Sequence, residues 1–231
     1  MSVEESATEP MRVVHQLHEN GIIAVIRAPN VTAAVRAVDT LVDGGVTTIE
    51  ITYSTPDVPQ VLRRITASHG GGVLLGVGTI TQPDEVWAAA EAGARFLVSP
   101  GVDEAVAAAM TSTGLASLFG AFTPTEVMQA LSLGAHAVKL FPASTGGIGH
   151  LRALRGPFPD VRLVPTGGVS VDNLPDWLAA GAYAVGAAGS LCPPDALAAG
   201  DYREIGRRAV AFSGALQRFR GRQTVVEEDD Q

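Results

Sequence analysis

Ile22-Ile23-Ala24-Val25-Ile26-Arg27-Ala28-Pro29-Asn30 is a short branched apolar run that ends on an arginine and a proline-containing turn. Such a run reads as a buried strand. A doubly wound nucleotide-binding sheet would carry a glycine-rich fingerprint directly after its first strand, and none follows here. Seven further runs have the same character: Thr47–Thr52, Val73–Val77, Arg95–Val98, Ala116–Gly120, Ala137–Phe141, Arg162–Pro165 and Ala184–Ala187. Between them lie amphipathic stretches that end at Gly45, Gly70, Gly93, Gly114, Gly134, Gly156 and Gly181, at intervals of 25, 23, 21, 20, 22 and 25 residues. One helix, one strand and two short loops fill such an interval. Glycine just past a helix supplies the left-handed cap, which fits Gly93 and Gly181.

Helix starts fall in the gaps. Thr81-Gln82-Pro83-Asp84-Glu85 and Thr123-Pro124-Thr125-Glu126 each combine a capping residue, a first-turn proline and acidic groups near the positive helix end. Asp172-Asn173-Leu174-Pro175 opens another helix. Eight strands alternating with about eight helices require a parallel sheet covered by helices. Eight units in about 200 residues favour a single-domain α/β (β/α)8 TIM barrel. The expected layout is an N-terminal helix or extension over 1–20, the barrel over 21–220 and an acidic, disordered tail over 221–231 containing Glu227-Glu228-Asp229-Asp230.

The chain of 231 residues is 46% hydrophobic and 17% charged, as expected of a globular protein with a large core. No apolar run reaches the roughly 18–20 residues that span a bilayer, so no membrane association is expected. The start, Met1 to Pro10, is polar and acidic, without the basic and apolar regions of a secretory signal. Cytoplasm is the expected compartment. A net charge of −8 argues weakly against nucleic acid as a partner. Cys192 is the single cysteine, so no intrachain disulfide forms. The five histidines are scattered, without metal-like spacing.

Active sites of barrels lie at the C-terminal ends of the strands. Those ends carry Arg27, Glu50 with Thr52, Thr79, Ser99-Pro100, Gly120, Lys139 with Phe141, Thr166-Gly167-Gly168 and Gly189-Ser190. Arg27, Glu50 and Lys139 are charged groups in apolar surroundings, where charge is costly unless paired or used. Lys139 is the only lysine beside fifteen arginines. Arginine cannot replace lysine where an amine must lose its proton and attack a carbonyl. An apolar setting favours the free amine, which can condense with a ketone to give an imine that acts as an electron sink. A structural lysine paired with a carboxylate is the competing account. Glu50 suits the acid/base work of imine chemistry, or pairing with Arg27 or Lys139. Arg27 could hold a substrate carboxylate through its planar fork, or form a structural salt bridge. Loops after strands seven and eight bind phosphate in many barrels, which gives weight to Thr166-Gly167-Gly168.

Together these segments resemble the 2-keto-3-deoxy-6-phosphogluconate (KDPG) and 4-hydroxy-2-oxoglutarate (KHG) aldolases. The resemblance runs from about Ile22 to Phe219 and rests on motifs in register. They are Ile49-Glu50-Ile51-Thr52, Gly76-Val77-Gly78-Thr79, Ser99-Pro100-Gly101, Val138-Lys139-Leu140-Phe141-Pro142, Gly156-Pro157-Phe158-Pro159 and Pro165-Thr166-Gly167-Gly168. It implies that Lys139 forms an imine with pyruvate and that Glu50 is the general acid/base. It also implies a pyruvate pocket lined in part by Thr79 and Phe141, Pro100 as a further substrate-binding residue, and a distal, usually phosphate-binding end at Thr166, Gly167, Gly168, Gly189 and Ser190. A homotrimer without metal or organic cofactor follows from the same resemblance. Many members carry arginine four residues after the glutamate, where this chain has Ser54; others end the first strand with arginine, as Arg27 does. After strand eight the Gly-Ser pair stands one place along, and Phe119 replaces a frequent proline beside Gly120. The expected reaction is cleavage of a 2-keto-3-deoxy sugar acid, such as KDPG, to pyruvate and an aldehyde. A 4-hydroxy-2-oxoglutarate or unphosphorylated substrate is the alternative within the class. A phosphosugar isomerase or epimerase, or a non-catalytic barrel, is the alternative outside it.

Overall fold

In the computed structural model, which describes residues 8–229, each of the eight apolar runs becomes a short parallel strand. They are β1 (Ile22–Ile26), β2 (Thr48–Thr52), β3 (Leu74–Gly78), β4 (Phe96–Val98), β5 (Ala116–Ala121), β6 (Ala137–Leu140), β7 (Leu163–Pro165) and β8 (Val185–Ala187). The strands pair in sequence order from β1 to β7, and β8 pairs with β1. A single parallel bridge between Thr166 and Gly186 completes the circle, so the sheet is a barrel.

Side chains alternate between two cores because successive strand residues face opposite sides of the sheet. One set, including Ile49, Ile51, Val138 and Leu140, packs outward against the helices. The other, including Ile23, Leu74, Phe96, Leu118, Ala137 and Val164, fills the barrel interior. Helix α1 (Glu9–Asn20) presents Val13, Val14 and Leu17 to that interior core and stops its N-terminal end. Any open part of the interior therefore lies toward the C-terminal ends of the strands.

The outer layer is α2 (Val31–Asp43), α3 (Val58–His69), α4 (Pro83–Glu91), α5 (Glu104–Ser112), α6 (Pro124–Ser132), α7 (Ala143–Arg155), α8 (Leu174–Ala179), α9 (Pro194–Ala199) and α10 (Tyr202–Asp229). The start of α6 is capped as the sequence predicts, whereas Asn173 makes no side-chain cap to α8. The Glu126 carboxylate accepts the amides of Phe122 and Thr123 at 2.9 and 2.7 Å, and the Thr123 hydroxyl accepts the Glu126 amide at 3.3 Å. This reciprocal box satisfies amides that the first turn of α6 leaves free. Helix α7 differs from a simple helix, because it breaks at Gly147 (φ 62°, ψ −172°) soon after it leaves β6. Helix α10 runs through most of the segment expected as a tail, whose last residues, together with 1–7, lie outside the described ones. Among the described residues no helix is long and apolar enough to cross a membrane.

Candidate active site

Lys139 and Glu50 meet inside the barrel. Lys139 shares its face of β6 with Ala137, and Glu50 points inward between outward-facing Ile49 and Ile51. Their strands stand on different sides of the barrel, with the register Val25–Glu50–Gly76 on one and Gly120–Lys139–Val164 on the other. Across the interior, Lys139 Nζ donates to Glu50 Oε1 at 3.1 Å. The two residues are only 6% and 2% exposed, so water screens this pair little. Removing two charges from water is tolerable here because each is the other's partner. Space for the carboxylate comes from β3: a Cβ on Gly78 would lie 1.9 Å from Glu50 Oε1. The Phe141 ring stands 5.5 Å from Lys139 Nζ and is partly exposed at the mouth.

The adjoining loops hold the other predicted positions. Thr79, directly after β3, has a φ of +59°, a left-handed conformation that a β-branched residue adopts at a cost. Ser99 donates to Gly101 O at 2.7 Å and folds the chain over Pro100, whose carbonyl packs against Gly120. Arg27 departs from the expectation of a buried charge: β1 ends at Ile26, so Arg27 stands just beyond the barrel wall and is exposed. It contacts neither Glu50 nor Lys139 through an ion pair; its Nε donates instead to the Ser54 hydroxyl at 2.7 Å.

The distal end gathers Thr166, Gly167, Gly168 and Ser190. Thr166 is buried, while Gly167 and Gly168 both take positive φ (89° and 82°). That turn is held by Asn173, whose side chain donates to Gly168 O at 2.9 Å and accepts the Ser170 amide at 2.8 Å. Gly168 is packed tightly on Ser144 at the start of α7, and Gly167 lies beside the Phe141 ring. The Ser190 hydroxyl donates to Val169 O at 2.5 Å, linking the loops after β7 and β8. Arg208 of α10 donates to Ser190 O and to Glu204, both at 2.7 Å. Gly189 is exposed beside it.

Lys139 with Glu50, and the Thr166–Gly168 turn with Ser190 and Phe141, are thus brought together; Arg27 joins the mouth through Ser54. The space that Gly78 leaves, the turn-holding role of Asn173 and the bonding role of Ser54 are not legible in the motifs, although Ser54 is conspicuous as a departure from the family pattern. Among the described residues no group of three or more His, Cys, Asp or Glu side chains is arranged to hold a metal ion. The site can present one amine, one carboxyl group and a ring of hydroxyls and backbone amides to a small molecule.

Comparisons with known proteins point to one family. The family model described as KDPG and KHG aldolase matches residues 13–208. A curated protein of Escherichia coli (strain K12) named KHG/KDPG aldolase is 36% identical over 189 residues, covering 81% of this chain and 88% of its own. A protein of Rhizobium meliloti (strain 1021), named "Probable 2-dehydro-3-deoxy-6-phosphogalactonate aldolase", is 34% identical over 206 residues, or 89% of this chain and 95% of its own. The solved structure of KDPG aldolase from Legionella pneumophila, with pyruvate captured at low pH as a covalent carbinolamine intermediate, superposes with a TM-score of 0.80. It is 27% identical and covers 89% of this chain and 98% of its own.

Proposed function

This chain belongs to the KDPG and KHG aldolase family, and from that premise we propose that Lys139 and Glu50 carry its carbon–carbon lyase reaction. The enzyme is a class I pyruvate aldolase. The observation that carries the residue assignment is the buried Lys139–Glu50 contact of 3.1 Å.

Moving one proton across that contact gives both a free amine and a neutral carboxylic acid. Nζ then adds to the C2 carbonyl of a 2-keto-3-deoxy acid, and Glu50 protonates the resulting hydroxyl so that water leaves and an iminium forms. The Glu50 carboxylate next takes the proton of the C4 hydroxyl while the C3–C4 bond breaks. The electron pair of that bond flows into the iminium, giving an enamine, and the aldehyde departs. Glu50 returns its proton to C3, and hydrolysis of the imine releases pyruvate and regenerates the lysine. Arg27 holds the C1 carboxylate, and Thr79, Pro100 and Phe141 line the pyruvate half. Thr166, Gly167, Gly168, Gly189 and Ser190 receive the far end of the substrate, which in KDPG carries the phosphate.

A second substrate, 4-hydroxy-2-oxoglutarate, is favoured by two details of that far end. The Ser190 hydroxyl is turned to Val169 O, and Arg208 is committed to Glu204, so neither of these two groups is aimed at a phosphate there. The reading further takes the protein as a cytoplasmic homotrimer without metal or organic cofactor. Met128 and Leu131, 61% and 40% exposed one turn apart on α6, offer apolar surface for self-association.

Reduction with borohydride in the presence of pyruvate tests the residue assignment. A stable adduct of one reduced pyruvate on the peptide containing Lys139 is expected. Absence of an adduct, under conditions that trap a known class I aldolase, would overturn it.

A further inference from the structure

The turn after β2 grips the chain after β1 through three side-chain hydroxyls. Thr52 Oγ1 donates to Ile26 O at 3.1 Å, Ser54 Oγ accepts from Arg27 Nε at 2.7 Å, and Thr55 Oγ1 accepts from Ala28 N at 3.0 Å. Three consecutive residues of one strand end are therefore pinned by one tetrapeptide, Thr52-Tyr53-Ser54-Thr55, itself closed by a hydrogen bond from Thr55 N to Thr52 O. Thr52 and Thr55 are buried, so two of the three grips are shielded from water.

The proton positions in this cluster follow from its chemistry. Ile26 O can only accept, which commits the Thr52 proton to it. The 2.8 Å contact between Thr52 and Ser54 must then have Ser54 as donor. Arg27 Nε can only donate, and the Ser54 oxygen receives it. The Ser54 and Thr52 hydroxyls thus each give one hydrogen bond and accept one, in a single direction from guanidinium to backbone carbonyl. Arg27 Nε is occupied, while its two terminal amino groups have no hydrogen-bond or ion-pair partner among the described residues.

We propose that Ser54 is a positioning residue for substrate recognition: by holding Arg27 Nε it presents the terminal edge of the guanidinium, end-on, to the carboxylate of a 2-oxo acid. The proposal rests on the reading of Arg27 as the carboxylate-binding residue. A guanidinium free to rotate about its long stem would lose that fork geometry most of the time. The residue acts through Arg27 and touches no reacting atom.

Borohydride trapping at a series of pyruvate concentrations separates binding from chemistry. Ser54→Ala is expected to raise the half-saturating pyruvate concentration about five- to tenfold, as loss of one charge-assisted hydrogen bond at a partly exposed site would. The change should fall on half-saturation rather than on the saturated rate, and Ser54→Thr, which keeps the hydroxyl, should restore it. With hydroxyacetone, a ketone without a carboxylate, Ser54→Ala should have no effect; an equal effect there would mean general loosening of the mouth and overturn the proposal. In an Arg27→Met background, Ser54→Ala should add nothing; an undiminished effect would also overturn it. If Arg27→Met raises half-saturation and Ser54→Ala does not, the positioning role fails while the Arg27 reading stands. If Arg27→Met itself changes nothing, the Arg27 reading fails and the role of Ser54 falls with it.

Discussion

Lys139 Nζ and Glu50 Oε1 stand 3.1 Å apart in the barrel interior, in a contact that spans 89 residues of sequence. Both groups are almost wholly buried, and the partner of each is the other. The pairing makes the buried lysine tolerable, and in the proposed mechanism it also supplies the acid. Structural and chemical accounts of Lys139 are therefore compatible: on the proposed mechanism, the ion pair is the resting form of the reacting pair.

Replacing Glu50 by Gln keeps the shape and the acceptor oxygen but removes the proposed proton shuttle. Turnover of a 2-keto-3-deoxy acid should fall about 10²- to 10⁴-fold, the range that general acid/base groups supply. Imine trapping should still reach one adduct per chain, more slowly. Rapid-quench kinetics with mass measurement of the adduct checks this, and a turnover within a few-fold of the unmodified enzyme would remove Glu50 from the mechanism. Glu50→Leu should in addition lower stability by about 3–5 kcal/mol at neutral pH, because it leaves the buried ammonium unpaired.

Gly78 makes a complementary prediction by its emptiness. Alanine there would set a methyl group 1.9 Å from Glu50 Oε1, far inside van der Waals contact. The carboxylate must move away from Lys139 or the strand must shift, at a cost of about 1–3 kcal/mol. Urea unfolding of Gly78→Ala should show that loss, together with a fall in trapping rate. Full stability combined with full activity would mean that Glu50 occupies another place.

Much of this architecture can be read from the sequence, since each of the eight strand runs lies within one residue of its observed limits at both ends. Branched apolar residues bracketed by glycine and polar turns leave a parallel strand few other places to start or stop. The partnership of Arg27 with Ser54 is less accessible. It depends on the register that sets Val25 beside Glu50, which brings residues just past the two strand ends together. Parallel register is decided by packing of the whole barrel and not by either segment alone. The burial of Arg27 is misjudged for a related reason, because β1 stops one residue earlier than its apolar run suggests. The break at Gly147 is not marked by the sequence either, since Gly146 and Gly149 stand close by with nothing local to single out the one at φ 62°.

The cap of α6 gives a pH-dependent signature away from the site. Backbone hydrogen bonds from Thr123 and Phe122 hold the Glu126 carboxyl below its ordinary value of 4.5. A carboxyl lowered by folding contributes stability above its unfolded value, and that contribution is lost as pH falls through the folded value. Glu126→Gln should therefore be less stable than the parent at pH 7, by about 0.5–1 kcal/mol for a solvent-screened capping group. The difference should shrink as pH drops below about 4.5. Thermal unfolding of both proteins across pH 3 to 7 measures it; a deficit that grows toward acid would contradict the assigned hydrogen bonds.

On the proposed reading, Ser190 is one of the groups that receive the far end of the substrate. Its hydroxyl now spans to Val169 O at 2.5 Å, and its carbonyl is fixed by Arg208. A phosphate placed over the Gly167–Gly168 turn would offer a charged acceptor, stronger than a neutral carbonyl, and would draw the Ser190 proton toward it. Ser190→Ala should then lower kcat/KM for the 6-phosphorylated substrate about tenfold and leave the unphosphorylated acid and 4-hydroxy-2-oxoglutarate nearly unchanged. An equal loss on all three substrates would assign Ser190 to bracing the loops after β7 and β8 instead. In that case phosphate recognition would rest on the backbone amides of the glycine turn, and Asn173→Ala, which frees that turn, should be the more damaging change for the phosphorylated substrate.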